Sequence, residues 1–165
     1  MSGDIPAGGS ENGVDAQAPR VQVVGQYIKD LSFENPGAPA NLTFRPQIEL
    51  SVDLQARQIE REHFEVELKL RISAKSEEKP AFLLELVYAG LFHLENIPDE
   101  VRQQVLLIEA PHIMFPFARR IVADVVRDGG MPPLMIEPID FAALYRAKAL
   151  EMQQMRGGNP GKMDA

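Results

Sequence analysis

His63-Phe-Glu-Val-Glu-Leu-Lys-Leu-Arg-Ile72 alternates polar and apolar residues without a break. Successive side chains on an extended backbone point to opposite faces, so this stretch predicts a strand with one apolar and one charged face. Working outward, Gln47-Ile-Glu-Leu-Ser-Val-Asp-Leu54 repeats the pattern upstream. Downstream, Ala81 to Leu94 places Phe82, Leu84, Leu86, Tyr88 and Phe92 on one side. Val21 to Leu31 is rich in Val, Ile and Tyr with weaker alternation, and reads as a further strand. The polar run Ser73 to Pro80 predicts a hairpin connection. The link from Phe33 to Phe44 carries two prolines and two aromatics, too much for a tight turn.

The period then changes. Asn96 is placed to cap a helix, Pro98 fits its first turn, and Asp99 and Glu100 suit its positive end. Val101, Val105 and Ile108 follow at helical spacing. In Glu109-Ala-Pro-His-Ile-Met-Phe-Pro-Phe-Ala-Arg-Arg120, Pro111 suits a helix start, whereas Pro116 lies further in and is expected to bend or distort the helix. Phe117, Ile121 and Val125 continue the stripe until Gly129-Gly130 and Pro132-Pro133 end it. A last helix is expected from Asp140, with Phe141, Leu144, Tyr145 and Lys148 on one side. Strands first and helices afterwards give an α+β fold: a four-stranded antiparallel sheet, a long helix and a C-terminal helix.

The apolar sheet face holds Ile48, Leu50, Val52, Phe64, Val66, Leu68, Leu70 and Ile72 by parity. Only two substantial helices are available to cover it. The helix over Ile113–Asp128 is apolar around much of its girth, which predicts burial from several sides and so a second copy of the chain. On the other sheet face, Leu83, Val87 and Leu91 place apolar groups beside Glu85, a pattern suited to docking.

Composition sets the bounds. Residues 1–19 are poor in large apolar groups and are expected to be a disordered tail, as are residues 157–165, leaving one domain over 20–156. There is no cysteine, so disulfides and thiolate catalysis are excluded. A net charge of −7 argues against nonspecific nucleic-acid binding and for a basic partner. No apolar run reaches transmembrane length and no signal-peptide layout opens the chain, so direct membrane insertion is not expected and a cytoplasmic location is. His63, His93 and His112 lack metal-ligand spacing; the first two read as solvated, the third as a helix-start group. No phosphate loop or nucleophile elbow occurs, so no enzyme activity, metal or cofactor is expected.

Three segments resemble one family in consistent order. Tyr27-Ile-Lys-Asp-Leu-Ser-Phe-Glu-Asn-Pro36 resembles the Tyr-x-Lys-Asp-(Ile/Leu)-Ser-Phe-Glu-x-Pro segment of the SecB export chaperones. Pro111 to Arg119 resembles their Pro-x-Ile-x-Phe-Pro-(Tyr/Phe)-Ala-Arg motif, and Pro133 to Leu144 their C-terminal signature. The resemblance implies a homotetramer, a dimer of dimers with helices between two eight-stranded sheets. It implies an ATP-independent cytosolic chaperone that keeps unfolded precursors competent for translocation and delivers them to the motor SecA. Asp30, Glu34, Leu83 and Glu85 correspond to positions that dock SecA, whose zinc-bearing tail keeps the metal on the partner. Phe44, Ile48, Leu50 and Val52, with Phe141, Leu144 and Tyr145 opposite, correspond to the client groove. The chain departs from the family in three places: the crossover loop is slightly shorter than in some members, Ala89-Gly90 stands where Gly-Gly is frequent, and Arg119-Arg120 replaces a common Arg-Glu. An oligomeric carrier of a small apolar ligand, or a SecB-like chaperone dedicated to one client, would use the same groove.

Overall fold

The structure, a computed structural model, describes residues 17–43 and 45–158; the expected tail residues 1–16 and 159–165, and Phe44, lie outside the described residues. Four long strands, β1 (Arg20–Glu34), β2 (Gln47–Glu60), β3 (His63–Ser76) and β4 (Lys79–Glu95), form one antiparallel sheet in the order β1-β4-β3-β2. The chain then runs through α1 (Asp99–Gln104), a π-helical turn (Val105–Glu109), α2 (Ala110–Asp128) and α3 (Phe141–Gly157).

The strands overrun their sequence-predicted limits. β2 continues six residues past Leu54, and the connection expected over Ser73–Pro80 shrinks to a tight turn, because Lys75 pairs with Pro80 and Ser76 with Lys79. Glu77 and Glu78 occupy that turn with φ of 49° and 66°, the left-handed backbone that tight hairpins require. Charge density marked solvent exposure there, not a loop. β1 has register shifts at Val23/Gly25 and Ile28/Asp30, which explains its weak alternation.

The helical half differs from expectation at its start. Asn96 is not the cap; it takes a left-handed turn at φ 54°, and Pro98 stands just before Asp99 without a side-chain acceptor. Pro111 falls at the beginning of α2 as expected, and α2 continues through Pro116. The wider π-helical turn lies immediately before this proline-bearing segment, where the regular i→i−4 ladder is hardest to keep. Gly129 and Gly130, the latter at φ +91°, end α2 as the sequence predicts. The Asp140 carboxylate accepts the Ala143 N–H at 3.0 Å, capping α3.

α2 lays Met114, Phe115, Ala118, Val122 and Val126 over the inner sheet face, against a core that includes Leu68, Leu70, Ile72, Phe82, Leu84 and Leu86. Each of the larger side chains among these, withdrawn from water, contributes roughly 1.5–3 kcal/mol. Gly90 permits this approach: a Cβ there would stand 2.6 Å from the Phe92 ring and 3.2 Å from Met114 Sδ. Coverage stops short of both sheet edges. Val21, Val23, Ile28 and Leu31 on β1 are exposed, as are Ile48 and Leu50 on β2 and Ile113 and Phe117 on α2.

Candidate functional site: an open sheet edge and an acidic outer face

Among the described residues β2 is an outermost strand, with β3 on one side and no strand on the other. Its inner-face residues pair directly with buried ones, Ile48 with Ala74, Leu50 with Ile72 and Val52 with Leu70. Yet Ile48 and Leu50 are 42% and 39% exposed, because α2 does not reach them. Two apolar depressions flank Leu50 along this strand. The larger, about 490 Å³, is bordered by Leu42, Ile48, Phe82, Val126, Met131 and Leu134. The smaller is a narrow slot of about 20 Å³ between Val52, Leu54, Leu107, Leu144, Tyr145 and Lys148.

The seven residues expected at the client groove therefore divide. Ile48 and Leu50 present open apolar surface, while Val52, Leu144 and Tyr145 are half-buried around the smaller slot. Phe141 is fully buried, edge-on to His112 and Phe115 at 5.5 and 6.0 Å, and anchors the start of α3 rather than offering a surface. Phe44 lies outside the described residues. Leu42, Met131, Leu134 and Leu107 were not singled out from sequence. The crossover that carries Leu42 is fixed by buried Asn41, whose Nδ2 donates to Asn35 Oδ1 at 2.9 Å and to the Ala81 carbonyl at 3.4 Å. Asn35 in turn donates to the Gly129 carbonyl at 3.0 Å, tying the crossover to the end of α2. Neither asparagine belongs to a periodic pattern, so only the folded chain reveals this clamp.

Asp30, Glu34, Leu83 and Glu85 come together on the opposite, outer face of the sheet. Glu34 pairs with Leu83, Ser32 with Glu85 and Asp30 with Val87, so the four residues occupy three successive cross-strand rows of β1 and β4. Glu85 accepts from Arg71 Nη1 at 2.9 Å. Asp30 and Glu34 are exposed and make no ion pair among the described residues. This patch combines carboxylates with the half-buried Leu83, a surface that attracts a basic segment and gives it apolar contact.

Next to the patch lies a buried carboxylate that sequence reading left among solvated charges. Glu65 on β3 is only 5% exposed. It accepts from Tyr27 Oη and from Lys29 Nζ at 3.0 Å, both on β1, and from Arg57 Nε on β2 at 2.9 Å. Lys29 also reaches Glu67 at 2.7 Å. The network spans all four strands because small Ala89 of β4, opposite Tyr27, leaves room above it. Burial pushes the Glu65 carboxyl up, but the hydrogen bonds from Tyr27, Lys29 and Arg57 outweigh it and hold the group at about 2. Burial and the adjoining carboxylate push the Tyr27 hydroxyl up to about 12. By capturing Lys29, the network leaves neighbouring Asp30 unneutralised.

His63 and His93, expected to be separately solvated, stack across β3 and β4 with ring centroids 4.6 Å apart. Among the described residues, no group of three or more side chains is placed to hold a metal ion, and no helix is long and apolar enough to cross a membrane.

An α+β chain with this sheet, an open apolar edge and these three sequence segments is matched by known proteins. Residues 14–152 fit the model of the family described as preprotein translocase subunit SecB. Protein-export protein SecB of Maricaulis maris is 50% identical over 148 residues, covering 88% of this chain and 86% of that protein. The same-named protein of Parvibaculum lavamentivorans is 48% identical over 150 residues, covering 89% and 88%. Among solved structures, the SecB-like chaperone of Mycobacterium tuberculosis, in complex with a ChAD peptide from the HigA1 antitoxin, matches with a TM-score of 0.62. It is 16% identical, and the match covers 73% of this chain and 91% of that one, so it bears on the fold alone. With a family-model match over residues 14–152 and about half of the aligned positions identical to those relatives, the chain belongs to the SecB family of protein-export chaperones, which are not enzymes.

Proposed function

We propose that this chaperone acts without ATP in the cytoplasm, holding unfolded precursors along β2 and presenting them to SecA through the outer face of β1 and β4. The observation that carries the reading is the uncovered inner side of β2. Ile48 and Leu50 are open to solvent on a strand whose outward backbone groups have no strand partner among the described residues. Such an edge binds an extended chain by main-chain hydrogen bonds, while the larger adjoining depression takes apolar side chains of many shapes. Each contact is individually weak and gains strength when one long client spans several sites.

Assembly follows from the same bookkeeping of edges. An eight-stranded sheet made from two subunits uses one outermost strand from each. β1 suits this role, since its inner side exposes Val21, Val23, Ile28 and Leu31 along its length. Ile113 and Phe117 on α2 then supply apolar surface for the contact between dimers. Residues 20–156 are the working unit of the resulting tetramer, and Asp30, Glu34, Leu83 and Glu85 form its SecA-docking patch.

The test dilutes a slow-folding precursor from denaturant and follows light scattering without nucleotide. Suppression at about one tetramer per client, lost in Leu50→Asp but with the variant still folded and tetrameric, supports the reading. Unchanged scattering with several slow-folding precursors would sink it.

A further inference from the structure

Lys148 is the one residue of α3 that reaches past the smaller slot to the outer side of β2. Its Nζ lies 3.0 Å from Asp53 Oδ1 and 3.4 Å from the Leu54 carbonyl. Val52 and Leu54, either side of Asp53, line the slot that Leu144, Tyr145 and Lys148 close from above. The ion pair therefore holds α3 over the slot and occupies a backbone acceptor of β2. Phe141 is buried at the start of α3 and Leu144 packs against the core beside the slot, whereas residues 150–158, beyond Lys148, are all exposed, so the ion pair is the last polar tie before the helix's exposed end.

Asp53 also belongs to the acidic outer face. Asp30, Val87, Lys69 and Asp53 are successive partners across the four strands, so the two aspartates end one transverse row about 14 Å apart. The row borders a shallow depression of about 270 Å³ that includes Arg71 and Glu85. Lys69 is committed elsewhere, at 3.3 Å from Gln55 and 3.9 Å from Glu67, which leaves Asp53 to Lys148.

We infer that the Lys148–Asp53 pair is a latch joining the outer acidic row to the apolar slot, with Lys148 as a positioning residue for client binding. A cationic segment docked on the row competes for the Asp53 carboxylate, releases Lys148, and lets α3 leave the slot and the Leu54 carbonyl. Thermodynamic linkage runs the other way too: a client that displaces α3 frees Asp53 and makes the row more negative. Both partners are about half exposed, 48% and 50%, so the latch is weak enough for a partner to break. The coupling rests on the outer face being the docking surface proposed above; the latch itself does not.

Amide hydrogen exchange across α3 in the assembled full-length protein reads the latch directly. Asp53→Asn and Lys148→Met are each expected to speed exchange about two- to five-fold, as an exposed ion pair predicts. The double variant should be no faster than either single one, and high salt should raise the wild type toward them. Additive effects, or unchanged exchange in Asp53→Asn, would overturn the latch. A synthetic Lys-rich peptide tests the coupling: bound to the wild type it should speed α3 exchange, and it should do nothing further in Asp53→Asn. Binding without any change in α3 overturns the coupling and spares the docking reading. Failure of the peptide to bind overturns the docking reading and the coupling with it, and the Asp53→Asn result still decides the latch.

Discussion

Glu65→Gln removes one charge from the outer-face network while keeping the shape of the side chain. Glu65 holds β1 to β2 across the sheet through Tyr27, Lys29 and Arg57. A carboxyl that ionises at about 2 in the folded chain, against the ordinary 4.5, corresponds to roughly 3 kcal/mol of stability at neutral pH. Arg57 is 63% exposed, so water screens part of this. The expected cost of Glu65→Gln at pH 7 is accordingly about 1–2 kcal/mol. Because the folded value is depressed, the contribution is complete above 4.5 and disappears as pH falls toward 2. Urea unfolding at fixed protomer concentration, at pH 7 and again at pH 3, measures both ends. The gap between wild type and variant should narrow by about half at pH 3. No loss at pH 7, or a loss of the same size at pH 3, would refute the reasoning. Tyr27 works in the opposite direction. Its hydroxyl is raised to about 12, so its contribution is complete below 10 and is lost as pH climbs through 12.

Gly90→Ala should cost about 1–3 kcal/mol in urea unfolding, since its Cβ collides with the Phe92 ring and crowds Met114. Phe117→Asp, on an exposed α2 position, should leave the protomer folded and yield a smaller oligomer by light-scattering mass determination. Asp30→Lys should weaken SecA binding, most clearly at low salt, with client binding unchanged in a fluorescence titration. Asp140→Ala removes the α3 cap and should loosen that helix by about 1 kcal/mol, seen as faster amide exchange in α3 with little change in the main unfolding transition.

The sheet was readable in the sequence wherever side chains alternate between water and core, as from Phe64 to Ile72. Alternation failed at the two β1 register shifts, where the period itself changes, and at Glu77-Glu78, where charged residues occupy a turn usually given to Gly or Asn. Helix ends marked by Gly129-Gly130 and Asp140 were legible because local hydrogen bonding makes them. Asn96 misled because a capping side chain and a left-handed turn favour the same residue type. The site divides the same way. Ile48 and Leu50 follow from parity, but the contacts of Glu65 with Tyr27 and Lys29, of Asn41 with Ala81, of Asn35 with Gly129 and of Lys148 with Asp53 join residues 36 to 95 positions apart, which no local pattern encodes.

The two outermost strands explain how one small sheet can serve both assembly and client binding. An unpaired strand edge pairs with whatever extended backbone reaches it, so a chaperone built on an open edge risks pairing with its own copies. On β1 the exposed apolar residues run from Val21 to Leu31, a length suited to a permanent partner of matching length. On β2 the apolar surface is shorter and interrupted, and Lys148 places a charge on the Leu54 carbonyl. Lysine at an edge opposes sheet-to-sheet growth, because a second β2 would have to bury that ammonium or expel it. An extended client needs only part of the edge and can leave Lys148 in water. On the proposed assembly, β1 is consumed by the partner copy and β2 stays available to chains that have no sheet of their own. On that proposal, the asymmetry would make the edge selective for unfolded polypeptide without reading any particular sequence.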